Sequence, residues 1–532
     1  MSRNGLAFHH PVAFWLGIAA LTAGVLSHFP MLVHASHDHY RMAGMPMDPL
    51  MMAGMAMIPA GVLLAAYGLM PRIAALRGGQ RQGTPMQFHI ADAAALNRQH
   101  LWLVLALVVA LAVDVQKPAT LGFVIPGMTR EYGISAQKAG VLAFVALCGT
   151  TLGSVVWGRI ADRLGRRAAI LLSALMFMGT AICGAMPAFE WNLAMCFLMG
   201  AAAGGLLPIA FTLMAETIPA RHRGWLLVAL GGIGTSAGYL LASGAAALLE
   251  PVFSWRSLWL LGLPTGAMII LLSRFIPESP RFLQDAGLER EARAVLARFC
   301  GVIDEPGTPA PHATTAEREG LASLLRGRQA PITIGLLVGG VAWGLTNFGF
   351  LLWLPVNLGR LGMDPAAASG LIARSALLAL PGIAVVVVLY HRWSSFKALV
   401  AFIALTALSL LAFFALISAG VHSIAAIVTA TAALLVCVSG AIAMLIPYAS
   451  EIYPVHLRGT GSGLVAASTK FGGILGAAIG VLGLFEHFAL SALVIALPML
   501  LSALLLAKSG VETRGRRLED IQARLAEDAT RT

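Results

Sequence analysis

Charge is what this chain has least of. Asp, Glu, Lys and Arg make up 11% of its 532 residues, less than half the share of about 25% found in soluble globular proteins. A water-exposed globule of this length is therefore excluded. Cysteine is scarce too: Cys148, Cys183, Cys196 and Cys437 fall inside apolar runs and Cys300 in a polar stretch. No disulfide framework is visible, and the cysteines read as small interior residues. Acidic residues, 25 against 36 Lys and Arg, leave a formal charge of +11. That surplus lies in short loops between apolar runs, the arrangement that orients membrane segments, so nucleic acid is not implied. What the chain does have is apolar length, with 58% hydrophobic residues and a mean hydropathy of +0.81. A membrane-spanning helix needs about 20 apolar residues, and fourteen such runs can be counted, from one centred near residue 22 to one near residue 496. The expected class is an all-α polytopic membrane protein.

Basic residues then set the expected topology. Arg72, Arg77 and Arg81, the loop around Asp162, Arg221 and Arg223, the segment Arg274 to Arg328, Arg392 and Lys397, and Arg458 with the arginine-rich tail all fall on one side. That side is read as cytoplasmic, with both termini inside. The opposite loops Pro187 to Trp191 and Ser418 to Ser423 carry no lysine or arginine. The first run, after Arg3, ends in Val33-His34-Ala35, which has the small residues of a signal-peptide cleavage site; a retained span is the expectation.

The chain also repeats itself. Ala215-Glu216-Thr217-Ile218-Pro219 through Arg223-Gly224 recurs as Ser450-Glu451-Ile452-Tyr453-Pro454 through Arg458-Gly459, matching at Glu, Pro, Arg and Gly. Each copy closes a long apolar run at a carboxylate, stops the helix with proline and supplies an arginine that can pair with the acid. Two homologous halves follow. The expected division is a two-helix extension with linker over 1–99, a six-helix half over 100–276, a polar loop over 277–330, a second six-helix half over 331–508 and a tail over 509–532. Within the polar loop, Leu288 to Cys300 has amphipathic helical spacing, and Gly301 to His312 reads as a glycine- and proline-rich linker.

The loop Gly158-Arg159-Ile160-Ala161-Asp162-Arg163-Leu164-Gly165-Arg166-Arg167 lies between two spans and resembles the loop after the second helix of the major facilitator superfamily. Pro277-Glu278-Ser279-Pro280-Arg281-Phe282-Leu283, with Trp255-Arg256 before it, and Glu512-Thr513-Arg514-Gly515-Arg516-Arg517-Leu518-Glu519-Asp520-Ile521 resemble motifs of its sugar-porter and metabolite:proton symporter branches; Val511 replaces a common proline. The resemblance covers about residues 100 to 525. It implies a twelve-helix fold in two parallel repeats, no enzymatic activity, and secondary active transport by alternating access, driven by a proton gradient without a cofactor. It further implies a monomer in a bacterial inner membrane whose partners are a small-molecule substrate, protons and the lipid bilayer. Asp162, Arg163, Arg166, Glu216, Arg223, Glu278, Arg281, Glu451 and Arg458 are then expected in gating networks between the halves. Exposed ion pairs worth about 0 to 1 kcal/mol suit contacts that break on every cycle. The second-half counterpart of the Asp162 loop, Tyr390 to Lys397, has lost both glycines and acid, so asymmetric gating is expected. Hexose carriers of this branch show a fifth-helix glutamine and a seventh-helix Gln-Leu-Ser, both missing here, and Gly231 to Gly238 lacks the Gly-Pro pair of drug:proton antiporters.

Ionisable groups in mid-span cost at least ~2.5 kcal/mol on insertion scales and point to function. Asp114 lies near the middle of its span, three residues before Lys117 and four before Pro118. It reads either as the proton-coupling carboxylate, similar to an aspartate of aromatic-acid:proton symporters, or as half of a self-neutralising pair with Lys117. Pro118 suggests a kink at the level where transporters bind substrate. Arg374 and Lys470 lie mid-span in the second half, and Asn347 marks the altered seventh-helix signature. Counted with Asp114 and Lys117, these give an expected net +2, which favours a small organic anion held by arginine; snorkelling is the alternative for Arg374. A sugar or neutral metabolite, and drug efflux, remain as other readings. The extension carries a further one. His34, His37, His39, Met45 and Met47 crowd the loop between the two extra spans, and thioethers with imidazoles suit copper. A metal-linked transporter therefore stands beside a plain packing hairpin.

Overall fold

The computed structural model describes residues 10–69, 94–285, 288–300, 325, 329–360, 362–420, 423–453, 455–483 and 487–513. Among them, fourteen helical segments are long and apolar enough to cross a membrane, so the protein is an integral membrane protein. Helices α1 (Pro11–Leu26) and α2 (Phe29–Ala35) make the first span and α3 (Pro49–Leu69) the second. The first half consists of α4 (Arg98–Tyr132), α5 (Ala136–Leu164), α6 (Arg166–Gly179) with a tightened turn over Thr180–Ala185, α7 (Phe189–Thr217), α8 (Ala220–Phe253), α9 (Ser257–Leu260) and α10 (Gly262–Leu272). Two short helices follow, α11 (Pro280–Asp285) and α12 (Glu289–Cys300). The second half begins with α13 (Gln329–Gly344), which widens over Leu345–Leu351 before continuing as α14 (Leu352–Arg360). It ends with α15 (Pro365–Val388), α16 (Ser395–Ser418), α17 (Ile424–Ile452), α18 (Val455–Val481) and α19 (Phe488–Ser509).

Local chemistry explains several boundaries. Asn97 starts α4 by accepting the N–H groups of Gln99 and His100 at 2.9 and 3.1 Å. Its amide also donates to the Phe299 carbonyl at 2.8 Å, tying α12 to the same corner. The amphipathic reading of this segment holds, because Ala292, Val295, Leu296 and Phe299 are buried. The linker from Gly301 to His312 lies outside the described residues.

The halves pack through α5 against α18, α8 against α15, and α4 against α14. At the end away from Asp162 one apolar core spans both halves, joining Leu121, Val124 and Met128 to Phe350, Leu352 and Trp353. At the Asp162 end each half has its own core, and Val228 of the first half sits in the core of the second. There the Trp225 and His391 rings also meet across the halves, 6.4 Å apart.

The two extra spans form a hairpin packed mainly on α6. Gly17 and Gly24 of α1 face Gly61 and Gly54 of α3, Gly68 of the same seven-residue series meets the Phe14 backbone, and a Cβ on Gly17 would stand 2.5 Å from the Ala65 backbone nitrogen. Backbone-to-backbone approach of this kind is how helices associate where no hydrophobic force distinguishes partner from lipid.

Candidate transport site

Asp114 is buried on α4, 8% exposed. The opposite charge acting on it from the second half is the Lys470 ammonium of α18, with no ion-pair contact between the two among the described residues. Lys117 is elsewhere. Its Nζ donates to the Phe177 carbonyl and the Thr180 hydroxyl, each at 2.8 Å, and lies 4.1 Å above the Phe177 ring. Those contacts hold the turn where α6 tightens. The pairing of Asp114 with Lys117 expected from their spacing is thus not made, because the lysine stem turns into the first-half bundle. Arg374 is exposed, on the face of α15 that carries the exposed Leu377 and Leu378, and is not part of this centre. With Arg374 on the exposed face, the expected net charge of +2 falls to +1, and of the buried cations it is Lys470 rather than Lys117 that acts on Asp114.

A second link crosses the halves nearby. The Tyr239 hydroxyl of α8 donates to Asn347 Oδ1 at 2.9 Å, both side chains being buried. Asn347 sits in the widened segment Leu345–Leu351, an irregularity common at functional sites. In the first half α4 stays helical through Pro118. Beside Pro118 is a small void of about 10 Å³ lined by Thr150 and Phe348, room for about one water.

At the Asp162 end each half carries a carboxylate cluster. Glu278 accepts the backbone N–H groups of Arg166 at 2.6 Å, Arg167 at 3.1 Å and Ser279 at 3.0 Å. It thereby caps α6, where orphan donors and the helix dipole favour an anion. Gly165, with φ +103°, leaves the space this carboxylate fills, which explains the glycine in the loop. Burial outweighs these donors and pushes the Glu278 carboxyl up to about 7. Ser279 donates to Glu216, and the Arg166 guanidinium lies 3.6 Å from Glu216 and 3.7 Å from Asp162, itself 76% exposed. In the second half Glu512 accepts the Ser395 N–H at 3.1 Å and its hydroxyl at 2.6 Å, as well as the Ser394 hydroxyl. Glu451 accepts Thr513 Oγ1 at 2.6 Å and the Tyr390 hydroxyl at 3.1 Å.

The arrangement of two six-helix halves meeting at a charge pair agrees with a match of residues 102–477 to the family model described as Major Facilitator Superfamily. The chain belongs to the major facilitator superfamily. Among curated relatives of this superfamily protein, a niacin transporter of Acinetobacter baylyi is 26% identical over 77% of this chain and 93% of its own length. A 4-hydroxybenzoate transporter of Pseudomonas aeruginosa is 28% identical over 73% and 88%, and a gallate transporter of Pseudomonas putida 28% over 77% and 92%. Among solved structures, the inward-open xylose transporter of E. coli superposes with a TM-score of 0.62 at 17% identity, covering 80% of this chain and 99% of that one. At that identity it speaks for the fold alone. The chain is thus a transporter rather than an enzyme.

The contacts described for Glu216 and Glu278 lie inside the first half of this major facilitator fold, and those for Tyr390 and Thr513 with Glu451 inside the second. Arg163 is exposed, and Arg223 donates to the Ile218 carbonyl at 3.2 Å. The side chains of Arg281 and Arg458 lie outside the described residues. The extension does not gather its donors. Met42 and Met51 are fully buried in an apolar cluster with Met31, Leu32 and Ala35, Met45 and Met47 pack against it, and His34, His37 and His39 are exposed. Among the described residues no three His, Cys, Asp or Glu side chains converge as metal ligands would.

Residues missed from the sequence include Tyr239, Glu512 with Thr513 as the second-half partner of Glu278 with Ser279, and Glu131. Glu131 holds the fully buried Arg256 at 2.6 Å, accepts Trp255 Nε1 at 2.9 Å, and also takes the N–H groups of Met42 and Ala43 at 2.7 and 3.1 Å. The spacing of the two post-span Glu-hydroxyl motifs would have revealed the first repeat, whereas nothing local marks Glu131.

Proposed function

We propose that this protein takes up a small aromatic or related organic carboxylate together with a proton, by alternating access across a bacterial cytoplasmic membrane, with the Asp162 end inside. The observation that carries the reading is the pair Asp114 and Lys470, one charge from each half. An ionised Asp114 holds the ammonium; a proton on Asp114 releases it, and a substrate carboxylate then takes its place. Charge balance in the low-dielectric centre is kept only when proton and anion load together. Tyr239 and Asn347, both polar and close to the same interface, would orient a hydroxyl or ring nitrogen of the substrate. The relatives named for niacin, 4-hydroxybenzoate and gallate support this class. No cofactor enters the cycle, and one chain suffices for it.

Counterflow with labelled 4-hydroxybenzoate, gallate and nicotinate in proteoliposomes tests the reading. Asp114→Asn should abolish accumulation driven by a pH gradient while leaving some exchange; a wild-type accumulation ratio would overturn the coupling role. Lys470→Gln removes a charge-assisted hydrogen bond of about 1.5 to 3 kcal/mol and should weaken binding about 10- to 150-fold.

A further inference from the structure

A cavity of about 570 Å³ opens at the end opposite Asp162, bounded by three parts of the molecule. His39, Tyr40 and Arg41 of the extension form one wall, Arg130 of α4 and Glu250 of α8 another, and Asp364 of the second half a third. Its size is that of a small-molecule site. Asp114 and Arg130 are sixteen residues apart on one helix, about 24 Å at 1.5 Å per residue, and the apolar core shared by both halves lies between them. The cavity is thus distinct from the central pair.

With Glu131 neutralised by Arg256, its lining sets Arg41 and Arg130 against Glu250 and Asp364, and it carries a net positive charge once Glu250 is protonated. Neither Arg41 nor Arg130 makes an ion pair with a carboxylate among the described residues. Glu131, the acid next to Arg130, is already engaged by Arg256. Glu250 keeps one buried carboxylate oxygen without a hydrogen-bond partner among the described residues, and Asp364 is occupied in capping α15 through the Ala366 N–H at 3.0 Å. The extension wall is held in place. Met42 and Ala43 are hydrogen-bonded to Glu131, the Tyr40 ring meets Phe253 edge-on at 6.1 Å, and His39 and Tyr40 both adopt left-handed backbone, φ +51° and +60°. Consecutive bulky residues in that region are unusual, and such strain collects at ligand clamps.

We propose that this cavity is an outer loading site for the carboxylate substrate, with Arg41 and Arg130 receiving the carboxylate and the His39–Arg41 loop forming its wall. The proposal rests on the organic-acid reading above. The charges acting on Glu250 are those of Arg130 and Asp364, and Arg41 and His39 line the same cavity. An incoming carboxylate draws Arg130 away from Glu250, so loading is tighter when Glu250 carries a proton, and acid on this side favours entry.

The test is uptake of 4-hydroxybenzoate, gallate and nicotinate by the full chain in vesicles with the cavity facing the medium. Arg41→Ala and Arg130→Ala should each raise KM about 5-fold or more with kcat unchanged, and Arg41→Lys and Arg130→Lys should restore most of it. Glu250→Gln should remove the dependence of KM on external pH while leaving kcat. Wild-type KM in both alanine variants overturns the loading site alone, as does a loss of kcat that lysine does not rescue. Uptake of none of the three acids by the wild type overturns the organic-acid reading and the loading site with it.

Discussion

At the base of the first half Glu278 caps α6 through the N–H groups of Arg166 and Arg167, and at the base of the second Glu512 caps α16 through that of Ser395. Beside each lies the acid that ends the fourth span of its half, Glu216 bound by Ser279 and Glu451 bound by Thr513. The scaffold is the same, a carboxylate after the last span of a half closing the start of the third. What surrounds it differs. Arg166 stands 3.6 Å from Glu216 and reaches on to the exposed Asp162, whereas the Tyr390 phenol stands 3.1 Å from Glu451. Guanidinium and carboxylate can part and each be rehydrated, while a buried phenol that loses its acceptor is left unsatisfied. We propose from this contrast that the first base opens more readily than the second.

The largest test of this contrast is loss of the caps. Glu278→Ala leaves two N–H groups at the start of α6, and that of Ser279, without their acceptor and should cost about 3 kcal/mol, and Glu512→Ala about 2 kcal/mol, read from thermal unfolding of purified protein. Equal or reversed losses would break the asymmetry. The next test is pH. Because the Glu278 carboxyl lies near 7 rather than at its ordinary 4.5, ionising it costs more in the folded chain than in the unfolded one. Its contribution is fully present below pH 4.5 and is lost as pH rises through 7, by up to about 3 kcal/mol. Glu278→Gln should flatten that slope between pH 5 and 8, and Glu512→Gln should leave it standing.

Tyr390→Phe sharpens the comparison from the other side. It removes one hydrogen bond to Glu451 and should destabilise by about 1 kcal/mol, while accessibility of cysteine probes at the Asp162 end rises less than in Glu216→Gln. Smallest in stability is Asp162→Asn, within about 0.5 kcal/mol, since an exposed pair contributes little. Its expected effect is on transport, with probe accessibility increased and binding of 4-hydroxybenzoate unchanged; weaker binding at unchanged accessibility would place Asp162 with the substrate instead.

Much of this architecture is legible in the chain itself. Apolar length gives fourteen spans, and the matched Glu216 and Glu451 segments reveal the two halves, because both signals are local and chemically demanding. Asp114 stands out for the same reason, as an acid where acids are costly. The centre is less legible. Spacing places Lys117 beside Asp114 and makes Arg374 a cavity group, yet Lys117 turns to Phe177 and Thr180, and Arg374 lies on the face of Leu377 and Leu378. Helical position fixes neither which neighbour a long side chain finds nor which way its helix is rotated. The glycines at seven-residue intervals in α1 and α3 were a readable signal for the hairpin's packing, stronger than the methionines and histidines that suggested metal.

Sequence alone determined that this chain crosses a membrane many times, is built twice over and hides one acid in mid-span, since hydropathy, repetition and the cost of buried charge act along the chain. Only tertiary structure decided that Lys470 answers Asp114, that Glu512 repeats Glu278 and that Glu131 anchors the extension to the outer end. Those partners are separated by between about 90 and 360 residues, and electrostatic and hydrogen-bond energies depend on distance in space and not on position in sequence.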